Sequence, residues 1–233
     1  IRIKSPELEA KKAAATMPFH IPMNGCCKVP NLNLIRKPHC HGGWDWGLTL
    51  LVSGVYMPLT LTGVDGGRID AVWTEQKHER DFVAVTAVAE IFAEKPCRLP
   101  VAFRFNGEER SVNAPLKAGR NLVRMKFDVA GPRLWWPNGL GDQPLYPLTV
   151  STACQSVTRE IGLRTIEVVN EPDEFGVSMR FRVNGVDVFC KGADWIPCDA
   201  FPSRQTDAVY EDLLESARLA NMNMLRVWGG GQY

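Results

Sequence analysis

The segment Gly42-Gly43-Trp44-Asp45-Trp46-Gly47 sets one carboxylate between two indoles and brackets the three with glycines. These residue types suit a sugar ring. A pyranose presents an apolar C–H face that stacks on an aromatic side chain, and vicinal hydroxyls that donate in pairs to a carboxylate. The glycines allow a tight turn and a close approach of backbone to ligand. The same residues also fit a strand end with two core tryptophans and a surface Asp.

A second group, Cys26, Cys27, His39, Cys40 and His41, gathers thiols and imidazoles, the ligand types of zinc. On a strand, His39 and His41 would share a face. The spacing holds neither Cys-x-x-Cys nor a His pair three to five residues apart, so neither a metal nor any other cofactor is expected. Seven cysteines, at 26, 27, 40, 97, 154, 190 and 198, are irregularly spaced and do not read as a disulfide framework; most read as buried thiols. No Asn-x-Ser/Thr acceptor for glycosylation occurs.

Composition excludes several classes. The chain has 233 residues, 45% hydrophobic and 23% charged, with a formal net charge of +1. No basic run exceeds Lys11-Lys12, so no electrostatic footprint for nucleic acid or an anionic membrane is present. No apolar stretch approaches the roughly 18 residues of a transmembrane helix. A soluble protein of a bacterial cytoplasm or periplasm is the expected setting. The sequence opens at Ile1 without Met, so the gene is expected to begin upstream.

Three regimes follow one another. A helical patch from Leu8 to Ala15 gives way to Pro18, Pro22, Pro30 and Pro38, which confine the chain to loops until strand-like runs at Leu48–Val52 and Tyr56–Thr62. From Arg68 to Val168 short alternating runs dominate. Val83, Val85, Ala87, Ala89 and Ile91 fall on one face, Asn106-Gly107 supplies a hairpin turn, and further runs occupy 121–129, 145–153 and 157–167. About a hundred residues with six or seven such runs suit an immunoglobulin-like sandwich. Beyond Val169, a second Asn-Gly hairpin at 181–189 precedes a helix capped by Thr206, with Val209, Leu213, Ala217 and Ala220 on one face and Asn221 as a left-handed stop. The run Met224–Trp228 then reads as a buried parallel strand ending in Gly229-Gly230-Gly231.

Four motifs occur in order: His41-Gly-Gly-Trp-Asp-Trp-Gly47, Leu134-Trp-Trp-Pro-Asn-Gly-Leu-Gly-Asp-Gln-Pro-Leu-Tyr146, Ile161-Gly-Leu-Arg-Thr165, and Lys191-Gly-Ala-Asp-Trp-Ile-Pro197 with Leu225-Arg-Val-Trp-Gly-Gly-Gly231. Through them the chain resembles the β-mannosidase branch of the family-two glycoside hydrolases. The resemblance implies a mainly β chain in three segments. Residues 1–63 would be the end of a jelly-roll sugar-binding domain, 64–168 an immunoglobulin-like sandwich, and 169–233 the first βα units of a (β/α)8 catalytic barrel.

The resemblance further implies an exo-acting, retaining hydrolase of terminal β-D-mannose. Asp45, Trp46, Asp194, Trp195 and Trp228 would bind substrate, although Asp194 stands where many relatives carry Asn. Retaining glycosidases place two carboxyl groups about 5 to 5.5 Å apart. Both are expected on barrel strands beyond Tyr233, so this chain alone is expected to be inactive and the remainder of the barrel is its expected partner. Glu171, although it follows Asn170, reads as part of a solvated acidic loop, and Trp135 and Trp136 as structural. Two alternatives stay open: a non-catalytic carbohydrate-binding or scaffold sandwich, and another family-two enzyme, a β-galactosidase, β-glucuronidase or exo-glucosaminidase.

Overall fold

The computed structural model describes residues 1–23 and 25–229, and these form two compact units. One comprises Leu61–Cys190. The other joins Ile1–Thr60 to the stretch from Lys191 onward.

The Leu61–Cys190 unit is two facing antiparallel sheets. Strands β1 (Arg68–His78), β2 (Phe82–Ala93) and β5 (Gly119–Ala130) make the first, in the order β1-β2-β5. The second, ordered β4-β3-β6-β7, uses β3 (Cys97–Phe105), β4 (Glu108–Leu116), β6 (Tyr146–Ser151) and β7 (Ser156–Ile161). The period-2 alternation of β2 explains the arrangement, because it sends Val83, Val85, Ala87, Ala89 and Ile91 inward. There they meet Val101, Phe103 and Phe105 of β3, Phe127 of β5 and Leu148 and Val150 of β6 in one core. Asn106 joins β3 to β4 with φ 49° and Gly107 with φ 80°, the double positive φ that a tight hairpin requires. The chain is therefore mainly β, built on sandwich-like sheets.

The run expected at 157–167 divides. Strand β7 stops at Ile161, and β8 (Ile166–Val169) joins a separate small sheet, β12-β11-β8, with β11 (Arg180–Val183) and β12 (Val186–Val188). Between them lies a two-stranded ribbon of β9 (Pro172–Asp173) and β10 (Gly176–Val177). The register of the small sheet aligns Ile166, Val183 and Val186, and likewise Val168, Phe181 and Val188, on one face. Its opposite face carries Glu167, Arg182 and Asp187. This sheet is amphipathic, and Ile166, Val168 and Val186 on its apolar face are exposed.

In the other unit, α1 (Pro6–Thr16) starts at Ser5, whose side chain accepts from the Leu8 amide, with Pro6 in its first turn. Strands β13 (Gly192–Trp195) and β14 (Met224–Val227) pair in parallel, joined by α2 (Asp207–Leu219). Thr206 occupies the N-cap position without a side-chain hydrogen bond, and Asn221 ends the helix region with φ 56°. The apolar face expected for α2 is not buried, since Val209 and Leu213 are exposed.

Two further local expectations differ from the structure. Leu48–Val52 and Tyr56–Thr62 form no strands; the local pairing is one isolated bridge, Gly42 with Thr49. A strand needs a continuing ladder of hydrogen bonds to a neighbour; among the described residues the backbone of Leu48–Val52 pairs with another segment only around that bridge, where the Leu50 amide donates to the His41 carbonyl at 3.1 Å, and Tyr56–Thr62 joins no sheet. His39 and His41 lie in a single 3-10 turn, His39–His41, rather than on a strand face. Of the glycine run after β14, Gly230 and Gly231 lie outside the described residues.

Candidate functional site: an indole platform beside a free carboxylate

The loop carrying Trp44 is fixed from below. The turn at His39–His41 closes with the Gly42 amide donating to the His39 carbonyl at 2.9 Å and Gly43 to Cys40 at 3.2 Å. The Lys28 amide donates to Gly42 at 2.8 Å, and Leu50 to His41 at 3.1 Å. Gly42 sits so close to the small core of Cys27, Val29 and Leu32 that a Cβ there would lie 2.4 Å from Cys27 Sγ. Gly43 has φ +88°, where a side chain is strained. Both glycines are thus demanded by the backbone. The turn then closes with the Trp44 amide donating to Gly47 at 3.3 Å, which turns Asp45 and Trp46 outward.

The two ends of this unit's sequence meet in aromatic contacts. Trp228, one residue past β14, lies with its ring centroid 4.7 Å from Trp44 at 75°, and 5.7 Å from Trp46 at 70°. These edge-on geometries place the positive edge of one ring against the negative face of another. Trp44 and Trp228 are half-buried and Trp46 is 47% exposed. Asp45 is exposed and its carboxylate has no partner among the described residues. An accessible indole surface next to an uncommitted acceptor can stack on a sugar face and accept from its hydroxyls. A separate hollow of about 540 Å³ in the same unit is lined by Lys37, His41, Tyr56 and Phe201 and by none of the tryptophans.

Asp194 and Trp195 go elsewhere. Successive residues of a strand point to opposite faces, and the register pairs Asp194 with Arg226 and Trp195 with Val227. Arg226 Nη1 donates to Asp194 Oδ1 at 3.1 Å, so this carboxylate is already committed to a cation. Trp195 stacks on Tyr210 of α2, with centroids 6.1 Å apart at 25°. Its carbonyl nonetheless accepts from the Trp228 amide at 2.9 Å, which links it to the platform through backbone. The five sequence-derived site residues thus divide into Asp45, Trp46 and Trp228 at the platform, and Asp194 and Trp195 on the two faces of β13.

Sequence reasoning placed Trp44 in the sugar-facing loop without naming it among the five binding residues, and left Tyr210 and Arg226 out of the site. Trp44 makes the shorter of the two contacts with Trp228, and its place one residue before Asp45 was the available signal. Arg226 was legible as the lone charge in an apolar run. Nothing in the sequence marks Tyr210.

The buried groups beneath the loop have chemistry of their own. His41 is 4% exposed, and its Nδ1 has no hydrogen-bond partner. Burial, reinforced by the positive charge of Lys37, holds its imidazole below the usual histidine range. Burial likewise pushes the Cys40 thiol up and the Lys37 ammonium down. Lys37 Nζ donates to the Val52 carbonyl at 2.6 Å. No group of three or more metal-ligating side chains occurs among the described residues.

Other candidates are structural. Trp135 holds the Arg164 guanidinium 4.5 Å from its ring centre, donates its amide to Leu163 at 2.9 Å and accepts from Asn184 Nδ2 at 3.0 Å. Gln76 clasps the same segment, accepting from the Arg164 amide and donating to Gly162. The ring of Trp136 lies over Gly141. Glu171 accepts from Arg180 Nη2 at 2.6 Å, as a member of a surface ion cluster with Asp187 and Arg182.

Residues 1–57 match the family model described as glycosyl hydrolase 2 galactose-binding domain-like, and residues 68–164 match glycosyl hydrolases family 2. Beta-mannosidase B of Emericella nidulans is 36% identical over 209 residues, covering 85% of this chain and 25% of that protein. Beta-mannosidase B of Aspergillus oryzae is 38% identical over 208 residues, covering 85% and 24%. The chain spans about a quarter of the length of the curated relatives it matches. Among solved structures, the crystal structure of a β-D-mannosidase from Dictyoglomus thermophilum superposes with a TM-score of 0.87 at 30% identity, over 97% of this chain and 29% of that one. An exo-chitosanase from Amycolatopsis orientalis shares the fold, with a TM-score of 0.61 at 22% identity over 72% of this chain and 20% of that one. No helix among the described residues is long and apolar enough to cross a membrane.

Proposed function

We propose, for a chain that belongs to the family-two glycosyl hydrolases, that the indole platform and Asp45 form part of the glycone pocket of an exo-acting, retaining β-mannosidase. The observation that carries this reading is the meeting of Trp44 and Trp46 with Trp228, on a loop whose intervening Asp45 is exposed and has no partner among the described residues. The β-mannosidases among its relatives and solved neighbours support mannose as the glycone. In this reading residues 1–63 end a jelly-roll sugar-binding domain and 64–168 are an immunoglobulin-like domain. Residues 169–233 begin a (β/α)8 barrel, for which the parallel β13–α2–β14 unit is the support. Trp228, at the C-terminal end of a strand, then sits on the barrel face where active sites form.

Both catalytic carboxyl groups are assigned to the rest of the barrel. Retention requires an acid/base and a nucleophile about 5 to 5.5 Å apart, whereas Glu171 and Asp194 are held by Arg180 and Arg226. The first carboxyl protonates the leaving oxygen while the second attacks the anomeric carbon. Water then releases the sugar from the glycosyl-enzyme as the first group takes its proton. Asp45 and the indoles hold the ring through both steps. The remaining barrel also supplies the cover for the apolar face of the β12-β11-β8 sheet.

The test compares the full-length protein on aryl β-mannoside, β-galactoside, β-glucuronide and β-glucosaminide. The highest kcat/KM is expected on the mannoside, with the β-anomer of mannose as first product by NMR. Preference for another glycone would sink the assignment, and no turnover on any of the four would favour a non-catalytic sugar-binding protein.

A further inference from the structure

A continuous path runs from helix α2 to the indole platform. Tyr210 stacks on Trp195, and its hydroxyl donates to Gln205 Oε1 at 2.8 Å. Gln205 Nε2 donates in turn to the Asp199 carbonyl at 2.7 Å, while the Asp199 carboxylate accepts from the Phe201 amide and pairs with Arg204. The loop after β13 is thereby tied to the ring of Tyr210. On the other side of the stack, the Trp195 carbonyl accepts the Trp228 amide.

The position of Trp228 makes that one hydrogen bond important. Strand pairing ends at Trp195 with Val227, so Trp228 lies beyond the ladder, and the bond to Trp195 is what carries β-type anchoring one residue further. Its indole must then stay 4.7 Å from Trp44 and 5.7 Å from Trp46. Whatever holds the Trp195 peptide in place also sets the platform.

We infer that Tyr210 is a positioning residue: by clamping Trp195 it fixes the carbonyl that orients Trp228 against Trp44 and Trp46. The inference rests on the glycone-pocket reading only for its kinetic consequence. A clamp that tightens a sugar platform acts on the rate because small displacements of a bound ring remove it from the reactive geometry.

The experiment uses the full-length protein. Two indoles in close edge-on contact give an exciton couplet in far-ultraviolet circular dichroism, isolated here as the difference between the parent and Trp44→Phe. Tyr210→Leu keeps apolar bulk but removes ring and hydroxyl, and should lose most of the couplet and about tenfold in kcat/KM on an aryl β-mannoside. Tyr210→Phe keeps the stack and should restore both. Where Tyr210→Leu does not fold, Trp195→Leu removes the other half of the stack and carries the same expectation. A full couplet in the folded Leu variant, even with a lowered Tm, overturns the inference. A lost couplet with unchanged kcat/KM upholds the positioning of Trp228 and counts instead against the glycone pocket, because the couplet is read without sugar.

Discussion

Trp44 and Trp228, from opposite ends of the chain, meet edge-to-face with centroids 4.7 Å apart. Aromatic pairs in this geometry contribute about 0.5 to 1.5 kcal/mol beyond the area they bury. A double-mutant cycle with Trp44→Leu and Trp228→Leu in the full-length protein should therefore return a coupling of about that size by urea denaturation. Strictly additive variants would show that the two indoles do not share the contact.

Asp45 separates a binding role from a turn role. If it accepts from hydroxyls of terminal mannose, Asp45→Ala removes charged hydrogen bonds of about 1.5 to 3 kcal/mol each. The corresponding loss in kcat/KM is roughly tenfold to a hundredfold per bond. Part of the loss should fall on kcat, since contacts remote from the reacting bond help distort the ring. Asp45 has no partner among the described residues, so Tm should move little. Wild-type kinetics with a lowered Tm would instead make it a turn residue.

His41 makes the loop sensitive to acid. Burial is the larger cause of its lowered pKa and Lys37 the smaller, so the folded imidazole stays neutral where the unfolded one, near 6.5, begins to take up a proton. The unfolded state then binds more protons, and stability falls as pH drops below about 6.5 toward the folded value. The Leu50 amide, which donates to the His41 carbonyl, reports this locally. Its protection against hydrogen exchange should decline between about pH 7 and pH 5 after correction for intrinsic exchange, and the decline should be shallower in His41→Gln. Equal slopes in parent and variant would remove His41 as the source.

What could be read from sequence depended on whether the signal was local. The alternation of Val83 to Ile91, the two Asn-Gly turns and the left-handed Asn221 report their own backbone, and the structure places them as expected. Leu48–Val52 and Tyr56–Thr62 have the composition of strands, yet strand formation depends on a partner that composition does not encode. The burial of His41 and the stack of Trp195 on Tyr210 were invisible for the same reason: each is set by segments distant in the chain. The Trp-Asp-Trp loop was legible as a candidate because residue type and spacing alone define it. Its contact with Trp228 required the fold.

The small sheet β12-β11-β8 yields the last prediction. Its polar face is laced by Arg180, Arg182 and Asp187, exposed pairs that stabilise little on their own. Its apolar face, with Ile166, Val168 and Val186 exposed beside Phe181 and Val188, is a contiguous patch of the kind that drives association when uncovered. In the 233-residue chain it should make the protein self-associate and bind a hydrophobic dye. Val168→Lys with Val186→Lys should reduce both without changing the hydrophobic core of β2 and β3, which neither residue joins. In the full-length protein the same pair of lysines should do the opposite of solubilising it: if the rest of the barrel covers this face, they bury two charges and destabilise the fold by several kcal/mol. Sedimentation velocity on the short chain and denaturation of the long one measure the two effects. A full-length protein that tolerates both lysines with unchanged stability would show that this face stays open to solvent, and that the remainder of the barrel is not its partner.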